Sequence, residues 1–336
     1  MSKHRHEPEF TSYYGRPVLK EPTWEPADIA GYLFTGGLAG ASSILAAGAQ
    51  FTGRPALARS LKLGALGAIT ASAAALIHDL GKPSRFYNML RVAKPSSPMS
   101  MGSWLLAGYG PLAGASALSD LTGVLPAAGR TASVGAGVLG AGVASYTSVL
   151  IADTAVPAWH AARHHLPFVF VGSAATAAAG LGLLTAPTGE TGPVRRAAVA
   201  GAAVELAASN AMEHGTGLAS ETFHDGTAGR LLRAAKACTA AGAFGAAVLG
   251  GRSRLAAAVS GLALLAGSAL TRFGIFEAGR ASTKDPKYTV VPQRERLAEK
   301  DSAARCDSPQ GPPRYPIRLA CGMSVFTGIR FFPTCL

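Results

Sequence analysis

Apolar residues along this chain fall into long unbroken blocks separated by short polar punctuation. Eight blocks stand out, at residues 28–50, 59–78, 102–121, 132–155, 166–186, 195–214, 231–250 and 254–276. Each approaches the roughly 20 apolar residues that a helix needs to cross a hydrocarbon core. None alternates with period two, and all are too long for barrel strands, so the pattern predicts helices. Breaks such as Thr52-Gly53-Arg54-Pro55, Lys94-Pro95-Ser96-Ser97-Pro98, Pro187-Thr188-Gly189 and Gly250-Gly251-Arg252 mark their ends. The expectation is an all-α, polytopic membrane protein with eight transmembrane helices and both termini on the same side. Residues 1–26 form a polar N-terminal segment, 27–278 the membrane domain, and 279–336 a polar tail expected to be disordered after about residue 301. The N-terminal segment is mixed in charge and lacks the basic-then-apolar order of a cleaved signal peptide.

Composition sharpens this picture. Hydrophobic residues make up 49% of the 336 positions and charged residues only 15%, against about 25% charged in ordinary soluble domains. A soluble enzyme with surface helices, a disulfide-rich module and a disordered chain are all excluded on these grounds. The net charge of +12 invites a nucleic-acid reading. The basic residues, however, sit between apolar blocks and form no stripe interleaved with aromatics, so nucleic acid is set aside. Small residues recur at four-residue spacing, as in Gly36/Gly40, Gly64/Ala68 and Gly137/Ala141. In lipid such positions let helix backbones approach closely. No strand precedes the glycines at 36–40, so they are read as packing and not as a phosphate-binding turn.

An eight-span topology puts both tails and the even-numbered loops on one face. All eight histidines fall there: His4, His6, His78, His160, His164, His165, His214 and His224. So do all of the 19 acidic residues except Asp120, Glu190 and Glu205. Lys and Arg in the short loops are balanced between the faces, and the basic tails tip the histidine-bearing face toward the cytoplasm. The localisation expected is the cell membrane, multi-pass, with cytoplasmic termini.

Ionisable groups inside a membrane are expensive and therefore mark function. Glu205 lies within the sixth block, and Ser209 and Glu213 follow at one-turn intervals on the same helical face. That stripe is either a proton relay or a carboxyl bonded to a neighbouring helix as packing. Asp153 lies at the end of the fourth block with Tyr146 two turns earlier; Tyr146 offers a phenolic donor to a ligand carbonyl or is an ordinary buried tyrosine. The charged run from His78 and Asp79 to Lys82 and Arg85 follows the second block directly and suits lipid phosphate, a partner subunit or a quinone headgroup. Asp79, Glu205 and Asp153 are the candidate proton path. His78 and His214 end their blocks at similar depth without being embedded, which argues against a bis-histidine haem. His160 and His164 have helical metal-pair spacing with no second cluster, so no metal site is expected. The cysteines (Cys238, Cys306, Cys321 and Cys335) include no Cys-x-x-Cys pair, and no iron–sulfur cluster is expected in this chain.

Several ordered motifs are similar to one known family. Tyr32-Leu33-Phe34-Thr35-Gly36-Gly37-Leu38-Ala39-Gly40 opens the first block. Asp79-Leu80-Gly81-Lys82-Pro83-Ser84-Arg85-Phe86 follows the second, and Ser97-Pro98-Met99-Ser100-Met101-Gly102-Ser103-Trp104 enters the third. Tyr146-Thr147, Pro157-Ala158-Trp159 and Arg163-His164-His165-Leu166-Pro167 span the fourth-to-fifth junction. Together with Asp285-Pro286-Lys287-Tyr288-Thr289-Val290 they resemble the NrfD/polysulfide-reductase membrane-subunit family over roughly residues 24–297.

The resemblance implies a membrane subunit of a modular oxidoreductase, beside an iron–sulfur electron-transfer subunit and a molybdopterin-type catalytic subunit. It implies no haem, and electron exchange with menaquinone or another membrane quinone near the face where the iron–sulfur subunit docks. The positions it assigns to quinone are Asp28, Tyr32 and Tyr146; the first two differ in residue type from the polysulfide-reductase pattern, and Tyr146 agrees with it. His78, Lys82 and Arg85 belong to the loop expected to meet a partner or headgroup. Two other classes stay open on sequence alone: a secondary transporter or ion-translocating permease, and a structural anchor without redox activity.

Overall fold

The computed structural model describes residues 18–22 and 24–307. They form helices and no strand. In chain order these are α1 (Pro26–Phe51), α2 (Pro55–Asp79), α3 (Phe86–Met89), α4 (Pro98–Thr122), α5 (Pro126–Ala152), α6 (Pro157–Ala161), α7 (Leu166–Thr185), α8 (Gly192–Gly215), α9 (Glu221–His224), α10 (Gly226–Val248), α11 (Arg254–Lys284) and α12 (Lys287–Asp307). The eight apolar blocks fall on α1, α2, α4, α5, α7, α8, α10 and α11, one to each, with the fourth block running three residues past the end of α5. Six of these are long and apolar enough to cross a membrane, and the chain is a multi-pass membrane protein. The two that fall short are α4, which mixes Ser, Gly and Asp120 into its sequence, and α8, which carries Arg195, Arg196, Glu205 and Glu213.

Several helices begin before their apolar block does. Prolines occupy the first or second position of α1, α2, α4, α5, α6, α7 and α8, where the missing N–H costs nothing and the fixed φ suits a helix. Apolarity tracks the hydrocarbon core, whereas a proline sets a helix start through backbone geometry alone. At the other end of α4, Gly123 takes φ +71° as the C-cap, a left-handed conformation that glycine adopts without a Cβ penalty.

The polar segment from residue 279 onward is helical where it is described. Helix α11 continues to Lys284, and α12 carries the chain in helix through residue 301 to Asp307. The run from Gln293 to Lys300 is built of good helix formers, Arg, Glu, Leu, Ala and Lys, a signal to which an apolarity reading is blind. Residues 308–336, with Cys321 and Cys335, lie outside the described residues, as do residues 1–17. The chain divides after Val290; the helical bundle belongs to the first unit and the rest of α12 to the second.

Within the first unit, the long helices group into two four-helix bundles, α1/α2/α4/α5 and α7/α8/α10/α11, joined mainly through α1 and α7. Neighbours along the chain run antiparallel. Side-chain contacts fix two ends. At the near end α1 begins and α2 finishes, joined by Asp28 and His78. At the far end α1 finishes and α2 begins, joined by Gln50 and Lys62. The six described histidines all lie in segments at the near end. There Glu21, ahead of α1, pairs with Lys284 at the close of α11 at 3.4 Å.

Close backbone approach holds the bundles together. Gly40 of α1 faces Gly140 of α5, where a Cβ added to Gly140 would lie 2.6 Å from the Gly40 carbonyl oxygen. Gly172 and Gly201 bring α7 to α8 in the same way, and Gly180 and Gly261 bring α7 to α11. Burial of apolar surface gives little drive between helices in lipid, so van der Waals contact at these crossings carries the association. Gly140→Val is therefore expected to lower stability by about 1–3 kcal/mol through overpacking, read as a lower midpoint of thermal unfolding in detergent. An unchanged midpoint would show that this crossing is not constrained.

Candidate functional site

The near end of the first bundle holds a cavity of about 150 Å³. Helix α1 contributes Ile29 and Tyr32, α5 contributes Tyr146, Leu150 and Ile151, and α4 contributes Gly102, Ser103 and Leu106. Met89 of α3, Met99 of α4, Trp24 and Asp79 complete the lining. The walls are mainly apolar, with a few convergent polar groups, which is the make-up of a small-molecule pocket.

Two phenols meet in this cavity. Tyr32 is 2% exposed, and its hydroxyl is hydrogen-bonded directly to the hydroxyl of Tyr146. One phenol donates to the other, which leaves one O–H and several lone pairs available to a third group. The Tyr146 ring reaches this position because position 102 is glycine: a Cβ there would overlap the ring. Tyr32 lies six residues into α1, about 9 Å from its start at 1.5 Å per residue, so the phenols sit nearer the near end than the middle of the bundle.

Of the three residues the resemblance assigned to quinone, Tyr32 and Tyr146 are thus brought together on the cavity wall. Asp28 lies one turn before Tyr32 and is turned to His78, whose Nδ1 is 2.6 Å from Asp28 Oδ2. Asp79 lines the cavity, and its Oδ1 accepts from the Glu25 backbone N–H at 3.5 Å. Lys82 and Arg85 are exposed on the loop that follows. Asp153 caps the C-terminus of α5, exposed and away from the cavity. Glu25, Asp28 and His78 place one ligand atom each within 4.8 Å of one another, a grouping able to hold a cation. Sequence spacing hides it, because His78 is fifty residues from Asp28.

A second polar cluster lies in the other bundle. Glu205 of α8 is 2% exposed; its carboxylate accepts from Thr271 at 2.7 Å and from Thr176 at 3.2 Å. Beside Thr271 in the chain, Arg272 is 1% exposed. Its guanidinium lies 3.9 Å over the Phe170 ring and donates to the Phe170 carbonyl at 2.9 Å. Ser209 and Glu213 continue the α8 face toward the near end, both buried. Glu213 accepts from Lys236 at 2.6 Å and lies 3.5 Å from His224, so the stripe ends on two titratable groups at the near-end surface. Close by, Lys287 holds the exposed Glu221 carboxyl below the usual carboxylate range through a 2.9 Å hydrogen bond.

The sequence reading passed over Arg272 and Lys62, each an ionised side chain within an apolar block. The rule that flagged Glu205 applies equally to both.

A family model described as "Polysulphide reductase, NrfD" matches residues 23–191, which take in the first bundle, its cavity and α7. No curated protein matches the chain.

Proposed function

The chain belongs to the NrfD family of membrane proteins, associated with quinone-interacting oxidoreductase subunits that work beside iron–sulfur and catalytic subunits, and from that premise we propose that its near-end cavity is a quinone site. The observation that carries this reading is the meeting of Tyr32 and Tyr146 inside a mainly apolar cavity with a carboxylate in its lining. The fit is chemical. A flat apolar ring with two carbonyl oxygens matches apolar walls that present phenolic donors, and the family match covers every residue of the cavity.

When bound, a quinone takes up two electrons and two protons to become a quinol, or releases them in the reverse direction. The chain's own residues hold and orient it. Tyr32 and Tyr146 present hydroxyls of which one is donated to the other, so the pair offers a fixed, directional O–H. Trp24, Met89 and Met99 exclude water from the ring. Asp79 exchanges protons between the cavity and the near-end surface, with Asp28 and His78 as a neighbouring hydrogen-bonded pair. Glu205, Ser209 and Glu213 form a separate proton stripe in the second bundle, and Asp153 takes no part in the cavity. The four cysteines have no cluster-ligand spacing in the sequence, and electrons come from or go to an iron–sulfur partner docked at the near end, where the histidines and loop charges gather.

The topology proposed is eight spans with both termini on the same, cytoplasmic side of the cell membrane. The antiparallel order of the long helices and the Glu21–Lys284 pair support it. The test is quinone-linked electron transfer by membranes that carry this chain with its partner subunits. Turnover that requires this chain supports the reading. Full assembly with no quinone-linked turnover overturns it and favours a transporter or a structural anchor.

A further inference from the structure

Where α1 begins and α2 finishes, the chain gathers more negative charge than its own cations neutralise. Glu25 stands just before α1, Asp28 lies in its first turn, and Asp79 is the last residue of α2. Among the described residues none of these three carboxylates pairs with a Lys or Arg. Their neighbours do: Glu21 pairs with Arg280 and Lys284, and Glu221 with Lys287. Helix dipoles account for part of the arrangement. An acid in the first turn of α1 and His78 in the last turn of α2 each sit at the helix end that favours them. Asp79 is the exception, because a carboxylate at a helix C-terminus meets the partial negative charge of the free carbonyls. Its one hydrogen bond is the Glu25 backbone N–H at 3.5 Å. The group is therefore net negative whether or not the His78 ring is protonated.

The same residues have the geometry of a chelate. One ligand atom each from Glu25, Asp28 and His78 lies within 4.8 Å of the other two. His78 Nδ1 and Asp28 Oδ2 are 2.6 Å apart and share a proton. In a tetrahedral site with metal–ligand bonds of about 2.0–2.1 Å, neighbouring ligand atoms stand about 3.3 Å apart. An ion that replaces the shared proton thus needs His78 and Asp28 to part by only about 0.7 Å, while the exposed Glu25 side chain swings in. The His78 side chain is 75% exposed and that of Asp28 18%, so the ion enters directly from water. The donor set selects among metals. Imidazole nitrogen beside carboxylate oxygen suits zinc and its first-row neighbours, whereas magnesium and calcium take oxygen ligands.

We propose that Glu25, Asp28 and His78 bind a zinc-class divalent cation at the near end, with water in the fourth position, and that its binding slows exchange at the neighbouring cavity. Trp24 precedes Glu25, Ile29 follows Asp28 and Asp79 follows His78, and all three line that cavity. A cation held by the three ligands ties the segment before α1 to the end of α2, so these wall residues lose freedom to part. It also withdraws the Asp28–His78 pair from proton exchange, because metal ligands must be deprotonated. The binding site stands on its own geometry; only its effect on turnover rests on the quinone reading.

The test uses the full complex, freed of loosely held metal with a chelator and then equilibrated with Zn2+. Wild type is expected to hold one zinc more than His78→Ala or Asp28→Asn. Co2+ in its place is expected to give the intense visible absorption of a four-coordinate site, lost in both variants. Glu25→Gln is expected to weaken zinc binding at least tenfold. Zn2+ is expected to slow quinone-linked turnover several-fold in wild type and not in His78→Ala, each compared with its own zinc-free rate. Equal zinc content in wild type and variants, or an equal response to Mg2+ at the same concentration, would overturn the site and leave a screened acidic patch. Zinc held at these residues with turnover unchanged would overturn its control of the cavity. Complexes without quinone-linked turnover would remove the quinone reading, and the zinc count would still decide the site.

Discussion

Tyr146→Phe is expected to lower quinone-linked turnover roughly 10- to 100-fold while the complex still assembles. The substitution removes the one hydroxyl bonded to Tyr32 and nothing else, since the ring keeps its seat over Gly102. A hydrogen bond aimed at a reacting carbonyl contributes about 1–3 kcal/mol, and each 1.36 kcal/mol is a factor of ten in rate. Tyr32→Phe is the comparator. Each substitution leaves the other phenol without its partner, but Tyr32 is the more deeply buried wall of the cavity, so a fall in quinone affinity is expected for Tyr32→Phe beside the fall in rate. The two variants together separate holding from proton delivery: affinity and turnover are measured for each on the same membranes. If Tyr146→Phe leaves both unchanged, the quinone does not sit between these phenols.

The helices and the phenol pair were legible in the sequence for different reasons. Helices follow from block length: runs of about 20 apolar residues mark α1, α2, α5, α7, α10 and α11, and the less apolar blocks of α4 and α8 still read as helical by length. Where each helix starts was less legible, because Pro26, Pro55, Pro98 and Pro126 act through local backbone geometry and not through apolarity. Tyr32 and Tyr146 are 114 residues apart, and no spacing rule joins them; the resemblance supplied that pairing, and the structure brings the hydroxyls together. Separations of 50 and 58 residues likewise concealed the Asp28–His78 and Lys62–Asp120 pairs. Asp28 was assigned to the ligand, yet its carboxylate spends a hydrogen bond on His78. Lys62 sat in view inside an apolar block, but a lysine there identifies a site only once its partners are known, and those come from α1 and α4.

Glu205 and Arg272 set the second large expectation, this time on stability. Both are almost fully buried on neighbouring helices, and they form no direct ion pair; each acts on the other only through space. The pair is arranged unequally. Glu205 is hydrogen-bonded by Thr271 and Thr176, whereas Arg272 rests on the Phe170 ring and carbonyl, with its Nε and Nη1 left without hydrogen-bond partners. Removing one member of a buried charge pair strands the other, which costs about 3–5 kcal/mol, while replacing both with neutral groups of similar volume is often close to neutral. Glu205→Gln and Arg272→Met are each expected to lower the thermal midpoint sharply in detergent, and the double variant to recover much of the loss. Glu205→Gln is the gentler of the two, because its amide keeps an acceptor for Thr271. Additive losses in the double variant would mean that the two residues are stabilised independently, Arg272 by Phe170 and Glu205 by its threonines. Recovery would mean that charge balance holds α7, α8 and α11 together at this level. Protonation of Glu205 would then disturb that balance, so the α8 stripe proposed above as a proton route would carry a structural consequence too.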